Sequence, residues 1–433
     1  MNKMADVLGR AGAWCGQNKY LSAIKNAFQN FMPLTIAGAI GVLWCNVLVN
    51  DQTGLGLFFK PIMALDFLNP AFQAVNFCTI SCITVGITLG IAQEIGVWNM
   101  GAEKAGYIPG LVGLAAWLSV TNTSHMVDGA KEAFTGIAGN ELGATGLFTG
   151  MIIGVLSVEL FCFFEKQDAL KIKMPEQVPP GVARAFEVLV PATLTLIITA
   201  CIGSACYNLT GLYLNDVIKN GIQGPLGAVG ATIPGVMIIY LVIMLFWLVG
   251  IHGNNMLSAV KEALFTPLAL ENVEAFNKGE TPKNIINMYA LQMWGEFGGS
   301  GVTIGLVIAI MIFGKREDNK AIATLSLVPG LFNINETVTF GVPMVLNPIL
   351  GIPFVVAPLI TIIIGYVLTV IGFCPVACLT VPWTTPPIVF GFLTCGANVM
   401  GAVTQAILIV VSTVIYTPFL ISYEKYQNKQ AAE

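Results

Sequence analysis

The residue with the clearest chemical potential in this sequence is Glu336. It lies in the stretch Val328–Pro348, which otherwise consists mainly of apolar residues, small residues and helix breakers. Apolar sequence flanks this stretch on both sides. A carboxylate at membrane depth costs about 2.5–3.5 kcal/mol on insertion scales, so such residues usually mark the path of a substrate or an ion. The alternative is a carboxylate at the membrane edge that pairs with a nearby cation.

Amides and helix breakers surround this carboxylate. Asn333 and Asn335 lie beside Glu336 in the sequence, and four residues that interrupt helices bracket them: Pro329, Gly330, Gly341 and Pro343. Irregular backbone is tolerated at membrane depth where it lines a cavity or is buried in protein. The pattern therefore predicts broken segments around a polar cavity that contains the carboxylate.

His252 is the second candidate, in the sequence Gly-Ile-His-Gly-Asn-Asn. The glycines on both sides are expected to leave the imidazole and the backbone open to a ligand. Asn254 and Asn255 add hydrogen-bond donors and acceptors. A lone histidine is as readily a structural residue, and the sequence leaves both interpretations open. The other histidine, His125, lies in a polar loop and is interpreted as solvated.

A sugar is the ligand that these residue types suit best. Carbohydrate recognition needs neutral donors and acceptors, a carboxylate that accepts hydroxyl protons, and an aromatic face against the CH groups of the ring. The predicted substrate-binding residues are His252, Asn254, Asn255, Gln292, Asn333, Asn335, Glu336 and Trp383. Trp383 lies between Pro and Thr residues, and the alternative for it is an interfacial anchor of the membrane.

The composition is that of a membrane protein. The chain has 433 residues, of which 55% are hydrophobic and 10% are charged, whereas soluble domains carry about 25% charged residues. We therefore predict an all-α polytopic membrane protein. The net charge is −4 and no basic run is found, so nucleic acid is not an expected partner. No nucleotide-binding loop, metalloprotease helix or hydrolase elbow is found, so we expect no cofactor and no metal.

The ten cysteines lie mostly inside apolar segments, where a free thiol behaves as a small hydrophobic group. Cys374 and Cys378 are separated by three residues. Such a spacing could bind a metal or do redox chemistry, but no second pair of this kind and no histidine lies nearby in the sequence. We therefore predict no disulfide framework.

About ten transmembrane helices are predicted, because a helix needs about 20 apolar residues to cross a bilayer. Nine apolar stretches are candidates: Pro33–Val49, Ala74–Gly96, Tyr107–Val120, Gly146–Phe164, Val188–Leu212, Ala231–Gly250, Phe297–Phe313, Pro348–Phe373 and Val399–Ile421. Two more, Ile322–Leu346 and Pro375–Thr394, are interrupted by Pro, Gly, Asn and Thr. We predict re-entrant or discontinuous hairpins there.

The distribution of Lys and Arg predicts which soluble segments are cytoplasmic. These are the N-terminus, where no signal peptide is recognised, a central linker and the C-terminal tail. Apolar residues spaced three and four apart before the first span predict an amphipathic helix on the inner membrane face, or a plain extension of that span. The predicted division begins with a cytoplasmic N-terminus (residues 1–32) and an N-terminal membrane unit (33–164). A cytoplasmic linker (165–186), a C-terminal membrane unit (187–421) and a cytoplasmic tail (422–433) follow.

Six stretches make this sequence similar to a known family. They run in family order nearly from one end to the other: Ala23–Ala39, Met174–Pro191, Gly250–Gly253, Gly298–Leu306, Phe332–Pro348 and Pro382–Pro387. The chain resembles the membrane subunit (enzyme IIC) of the bacterial phosphoenolpyruvate-dependent sugar phosphotransferase system, of the lactose, cellobiose and diacetylchitobiose type. One departure is Thr337, where the family usually has Pro. It bears on the rigidity of the loop more than on sugar binding.

The resemblance implies a homodimer in the bacterial cell membrane. Residues 33–164 would form its scaffold and dimerisation unit, and residues 187–421 would hold the sugar. It further implies that Glu336 hydrogen-bonds the sugar hydroxyl to be phosphorylated, with His252 beside it. The phosphoryl group would come from enzyme IIB, itself charged by enzyme IIA, both as separate chains. The sugar would be a β-linked disaccharide, and the family stretches favour the diacetylchitobiose or cellobiose type over lactose.

Glu336 has two roles open to it in such a reaction. It would act as a general base on the attacking hydroxyl, or it would only position that hydroxyl by a hydrogen bond. Two rival classes of protein are an ion-coupled secondary sugar transporter and an intramembrane enzyme. The first would need a cluster of cation-binding acids and the second a cluster of metal ligands, and the sequence suggests neither.

Overall fold

The computed structural model describes residues 10, 14, 17–51, 55–125, 134–175, 177–225, 230–342 and 344–432, and these residues are largely helical. The α-helices are α1 (Lys19–Leu43), α2 (Asn69–Asn76), α3 (Ile83–Met100), α4 (Ala102–Ala105), α5 (Ile108–Val120), α6 (Gly139–Leu142), α7 (Ala144–Glu165), α8 (Pro180–Thr210), α9 (Leu214–Ile218), α10 (Ile233–Leu248), α11 (Gly253–Asn277), α12 (Met288–Gly295), α13 (Ile304–Phe313), α14 (Glu317–Leu331), α15 (Glu336–Gly341), α16 (Gly351–Val370), α17 (Val389–Thr394) and α18 (Val399–Ala432). Strands β1 (Ser124–His125) and β2 (Phe134–Thr135) form a two-stranded antiparallel ladder. The predicted all-α class is confirmed.

The helices that could cross a bilayer are fewer than the predicted number of spans. Among the described residues, five are long and apolar enough: Lys19–Leu48, Ala144–Glu165, Pro180–Thr210, Gly351–Val370 and Val399–Gln430. A sixth arises if Lys60–Ser81 and Ile83–Met100, bent by 42° at their junction, form one broken span. Helices α5, α10 and α13 are apolar but shorter. The chain is therefore a multi-pass membrane protein, and the count of ten stays a prediction.

Both interrupted segments are broken as predicted. Helix α14 ends at Leu331, a turn follows in which Asn333 has φ +62°, and α15 begins at Glu336. Residues 375–388 are extended and turn residues, and only the end of that segment forms α17. Pro329 and Gly330 lie in the last turn of α14, and four prolines interrupt residues 375–388, where each removes a backbone donor that a straight helix needs.

The predicted span Phe297–Phe313 is wrong in its first half, because helix α13 begins only at Ile304. Three glycines in the preceding turn have positive φ, with values of +69° at Gly298, +88° at Gly299 and +81° at Gly301. This left-handed backbone is favoured by glycine and cannot continue into an α-helix. The glycine-rich segment of residues 297–303 therefore forms a buried turn.

Contacts divide the chain into two compact units, each with its own core. The first contains residues 17–35 and 77–227, and the second contains residues 36–76 and 228–433. Helix α1 runs without interruption through Pro33, so the predicted amphipathic segment and the first span form one helix. The predicted linker, residues 165–186, lies within the first unit. The scaffold and transport roles assigned to the predicted segments stay predictions.

Helices α3, α5, α7 and α8 pack together in the first unit. The packing depends on close approach at small residues: a Cβ at Gly150 would lie 2.2 Å from Thr88 Oγ1, and one at Gly113 would lie 2.3 Å from Ala92 Cβ. Close backbone approach at small residues is typical of helix pairs in membranes, where packing replaces the hydrophobic effect.

A buried carboxylate at the start of the predicted linker forms ion pairs with basic residues of the first unit. Glu165, which ends α7, is 1% exposed. Its Oε1 lies 2.8 Å from Lys104 Nζ, 3.2 Å from Arg184 Nη1 and 4.0 Å from Lys171 Nζ. Charged groups at low exposure are tolerated when they are paired in this way. Lys171 also lies 3.4 Å from Asp168, whose side chain is 82% exposed.

We expect Glu165→Gln to lower the free energy of unfolding by about 1–3 kcal/mol, because three cations lose their shared acceptor at a buried position. The matched control is Asp168→Asn, which removes an exposed partner of the same Lys171 and should change stability little. Thermal unfolding of the purified protein in one detergent measures both variants. Equal stability of the two variants would show that the Glu165 network does not stabilise the unit.

Candidate functional site

His252 is held at the start of a helix. Helix α10 ends at Leu248, and His252 is the N-cap of α11, where its Nδ1 accepts a hydrogen bond of 3.2 Å from the Asn255 backbone N–H. A Cβ at Gly253 would lie 2.0 Å from the Ile243 carbonyl oxygen, so only glycine allows α11 to begin so close to α10. The glycine on this side of His252 therefore serves helix approach, and the access of a ligand to the imidazole stays a prediction.

Trp247 covers one side of the imidazole. The two ring centroids are 4.4 Å apart, and the planes are tilted by 47°. Trp247 is 2% exposed and also approaches Phe354. A buried indole against the ring restricts its rotation, so the direction of Nε2 is fixed from two sides. Sequence reasoning missed Trp247, although its position five residues before His252, at the end of an apolar helix, was the available signal.

Glu336 faces His252. The Nε2 atom of His252 lies 3.8 Å from Oε1 of Glu336, and the two side chains are 37% and 49% exposed. Because Nδ1 already accepts a hydrogen bond, a neutral His252 carries its proton on Nε2. The separation of 3.8 Å is too long for a direct hydrogen bond. One hydroxyl oxygen about 2.8 Å from both atoms could accept from Nε2–H and donate to the carboxylate.

Asn333 joins three segments of the site. Its Oδ1 accepts a hydrogen bond of 2.7 Å from the Gly298 backbone N–H. Its Nδ2 donates to the backbone carbonyls of Trp383 and Thr385. The turn before α15, the glycine turn before α13 and the segment before α17 are thereby tied together. The amide predicted to bind sugar is engaged within the protein on both its oxygen and its nitrogen.

Asn335 is also hydrogen-bonded within the protein. It is 4% exposed, and its Nδ2 donates a hydrogen bond of 2.7 Å to the Ser300 carbonyl. Asn254 reaches the same residue, because its Nδ2 lies 3.0 Å from Ser300 Oγ. The Oδ1 of Asn254 is buried and has no hydrogen-bond partner among the described residues. An acceptor of this kind is rare and is available to a donor that the chain itself does not supply.

The remaining predicted residues are less closely connected. The Asn255 side chain is exposed beside His252. Trp383 is 43% exposed, and only its backbone carbonyl is tied to Asn333. Gln292 is half-buried on α12 and is not among the side chains hydrogen-bonded to this group. The structure therefore brings His252 and Glu336 together and holds the turns around them with Asn254, Asn333 and Asn335.

A buried ion pair supports the same turn. Lys261 of α11 is 6% exposed, and its Nζ contacts the carboxylate of Glu296. The buried Tyr240 donates a hydrogen bond of 2.7 Å to the same carboxylate oxygen. Glu296 directly precedes the glycine turn that Asn333 and Asn335 bind. The sequence analysis missed Lys261, because charged and apolar residues alternate around it and gave no sign that it is buried.

The site offers no evident place for a metal. Among the residues that the structure describes, no group of three or more His, Cys, Asp or Glu side chains is placed to hold a metal ion. The chemistry that the geometry allows is the binding of a neutral hydroxylated ligand between an imidazole N–H and a carboxylate, with proton transfer from a hydroxyl to Glu336 as a further step.

Comparison with known proteins assigns the family. Residues 25–358 match the family described as Phosphotransferase system, EIIC. The chain is 32% identical to the oligo-beta-mannoside-specific EIIC component of Bacillus subtilis (strain 168), over 94% of this chain and 90% of that protein. It is 30% identical to the cellobiose-specific EIIC component of Lactococcus lactis subsp. lactis (strain IL1403), over 99% and 98% of the two chains.

A solved structure agrees over nearly the whole length. It is the transporter ChbC, the IIC component of the N,N'-diacetylchitobiose-specific phosphotransferase system. The TM-score is 0.88 at 29% identity, covering 97% of each chain. These relatives do not favour the ion-coupled carrier considered from the sequence. The chain belongs to the EIIC family of the phosphotransferase system, and it is a multi-pass membrane permease subunit for a sugar.

Proposed function

We propose that this permease binds a β-linked disaccharide of the cellobiose or diacetylchitobiose type and moves it inward for phosphorylation by enzyme IIB. The names of the relatives support the class of sugar, since they specify cellobiose, oligo-beta-mannosides and N,N'-diacetylchitobiose. Enzymes IIB and IIA would act as separate chains. The added phosphate carries about −1.5 to −2 charges at neutral pH, which prevents the product from returning across the bilayer.

The 3.8 Å gap between His252 Nε2 and Glu336 Oε1 carries this proposal. A sugar hydroxyl is both a donor and an acceptor, so it suits a position between an imidazole nitrogen and a carboxylate. A cation would suit only the carboxylate, and an anion only the imidazole. The unpaired Oδ1 of Asn254 would accept from a second group of the ligand. Asn255, Gln292 and Trp383 are proposed as outer contacts with the disaccharide.

The wider organisation is proposed along the lines that the sequence predicts. Residues 33–164 would contribute the scaffold and dimer interface of a homodimer in the bacterial cell membrane. Residues 187–421 would carry the sugar between the two sides, and both termini would lie in the cytoplasm. Uptake into proteoliposomes should then require phosphorylated enzyme IIB. Uptake driven by a proton or sodium gradient alone would support the ion-coupled rival instead.

Direct binding of a panel of disaccharides to the purified protein tests the proposed substrate. We expect cellobiose or diacetylchitobiose to bind more tightly than lactose. His252→Ala and Glu336→Ala should each weaken the best ligand about 10- to 150-fold, the value of a hydrogen bond to a charged or strongly polar partner. Glu317→Ala is the matched control, because Glu317 is another exposed glutamate that begins a helix. Unchanged affinity in both site variants would contradict the proposal.

A further inference from the structure

Three cysteines lie close together at the two ends of the segment that contains residues 375–388 and helix α17. Cys374, Cys378 and Cys395 are each less than 5% exposed. The Sγ atoms of Cys374 and Cys395 are 3.9 Å apart. Both thiols also approach one acceptor, the Pro375 carbonyl, at 3.4 and 3.3 Å. The cysteine that contacts the Cys374 thiol is therefore Cys395, 21 positions away, and not the neighbouring Cys378 that the sequence spacing suggested.

The two thiols lie at the stem of a loop that reaches the sugar site. Within the stem, the Thr394 carbonyl accepts hydrogen bonds from the backbone N–H groups of Cys378 and Leu379, at 2.8 and 3.0 Å. The side-chain hydroxyl of Thr394 returns a hydrogen bond of 2.9 Å to the Leu379 carbonyl. At the far end of the loop, the carbonyls of Trp383 and Thr385 bind Asn333.

These hydrogen bonds and the contact of the Cys395 thiol with the Pro375 carbonyl link the two sides of the stem, and each is reversible. A covalent bond between residues 374 and 395 would close a loop of 22 residues, counting both ends, around the segment that carries Trp383. Cross-linking of this kind limits the open states of a loop. The bond needs the Sγ atoms to move from 3.9 Å to about 2.05 Å, which side-chain rotation and small backbone shifts can supply.

We propose that Cys374 and Cys395 form an oxidation site, in which a hydroperoxide converts the two thiols to a disulfide that fixes the stem of the Trp383 loop. In the first step one thiolate attacks the peroxide oxygen, the O–O bond breaks, and a sulfenic acid and an alcohol or water are formed. In the second step the other thiol attacks that sulfur, the S–S bond forms, and the S–O bond breaks to release water. The two sulfurs lose two electrons and the peroxide gains them.

The chemical setting fits a reversible bond better than a permanent one. Cytoplasmic and membrane-facing thiols are normally kept reduced, and disulfides in such compartments are usually transient or redox-sensing. Reduction by a dithiol would restore both thiols and the hydrogen-bonded stem. The proposal does not depend on which sugar the site binds, because it rests only on the cysteines and on the hydrogen bonds of the stem.

Hydrogen peroxide applied to the full-length protein in detergent tests the site. After oxidation, free thiols are blocked with N-ethylmaleimide and the peptides are mapped by mass spectrometry without reduction. We expect a cross-linked peptide joining residues 374 and 395 that dithiothreitol removes. Cys378→Ser should leave its yield unchanged, and Cys395→Ser should abolish it. Cys78 and Cys201, which are exposed, report that the reagents have acted.

Amide hydrogen exchange on the oxidised wild-type protein provides the second measurement and needs no variant. The amides of residues 375–394 should exchange at least several-fold more slowly after oxidation, and dithiothreitol should reverse the change. Three results would overturn the proposal: oxidation of Cys78 and Cys201 with no cross-link at Cys374, a disulfide that involves Cys378 instead, or a 374–395 disulfide that leaves exchange in the loop unchanged.

Discussion

Replacing Glu336 by Gln is expected to lower the rate of sugar phosphorylation by enzyme IIB at least tenfold. In the proposed site the carboxylate would accept a proton or a hydrogen bond from the sugar hydroxyl, whereas the amide of Gln offers a weaker acceptor and a donor that cannot receive a proton. General base catalysis contributes about 10²–10⁴-fold, so a loss in that range at saturating sugar would identify Glu336 as the base. A loss confined to the apparent sugar affinity would identify it as a positioning group.

The control for this variant is Glu317→Gln, which neutralises another helix-starting glutamate away from His252. It should keep the wild-type rate and affinity. Phosphorylation is followed with purified enzyme IIB that already carries a radiolabelled phosphoryl group, across a range of sugar concentrations. A Glu336→Gln protein with unchanged rate and affinity would remove Glu336 from the mechanism in either role.

Lys261→Met is expected to lower the free energy of unfolding by about 3–5 kcal/mol, which is the usual cost of removing one partner of a buried ion pair. Glu296 would keep its charge at 17% side-chain exposure with only Tyr240 left to donate to that oxygen. Because Glu296 precedes the turn held by Asn333 and Asn335, sugar affinity should also fall. Thermal unfolding and sugar binding in detergent measure the two effects.

Two further variants distinguish the effect of the Lys261–Glu296 ion pair from the effect of removing any lysine. Lys278→Met removes an exposed lysine of an ion pair with Glu274 at the end of the same helix and should leave stability unchanged. The double variant with Lys261→Met and Glu296→Gln should be more stable than Lys261→Met alone, because it removes the unpaired charge. Equal stability of the double and the single variant would show that the unpaired Glu296 charge does not cause the loss of stability in Lys261→Met.

Some of the fold was predictable because local sequence determines it. Proline and glycine interrupt the apolar runs around Glu336 and Trp383, and the backbone is broken at both places. Hydrophobic composition predicted a multi-pass helical protein, and six stretches of sequence indicated its family. The start of α13 was mispredicted because three glycines before it adopt positive φ, and hydropathy carries no information about φ.

Sequence reasoning identified candidate site residues but not the contacts among them. His252 and Glu336 stand 84 positions apart, and only the resemblance placed them side by side. Asn333 was expected to face the ligand, yet its amide joins backbone segments that lie about 35 and 50 residues away. The burial of Lys261 and the packing of Trp247 on the imidazole depend on how helices approach one another. Periodicity within one helix does not determine these contacts.

The most direct test of the sugar site uses the two histidines of this sequence, His125 and His252. With nitrogen-15 in histidine alone, each imidazole gives its own pair of signals, and a His125→Gln variant assigns them. We expect His252 to show a protonated Nε2 and an unprotonated Nδ1, and its Nε2 signal should shift when the best disaccharide of the panel saturates the protein. The signals of His125 should not move. A His252 signal that is unchanged at saturation would show that the sugar binds elsewhere.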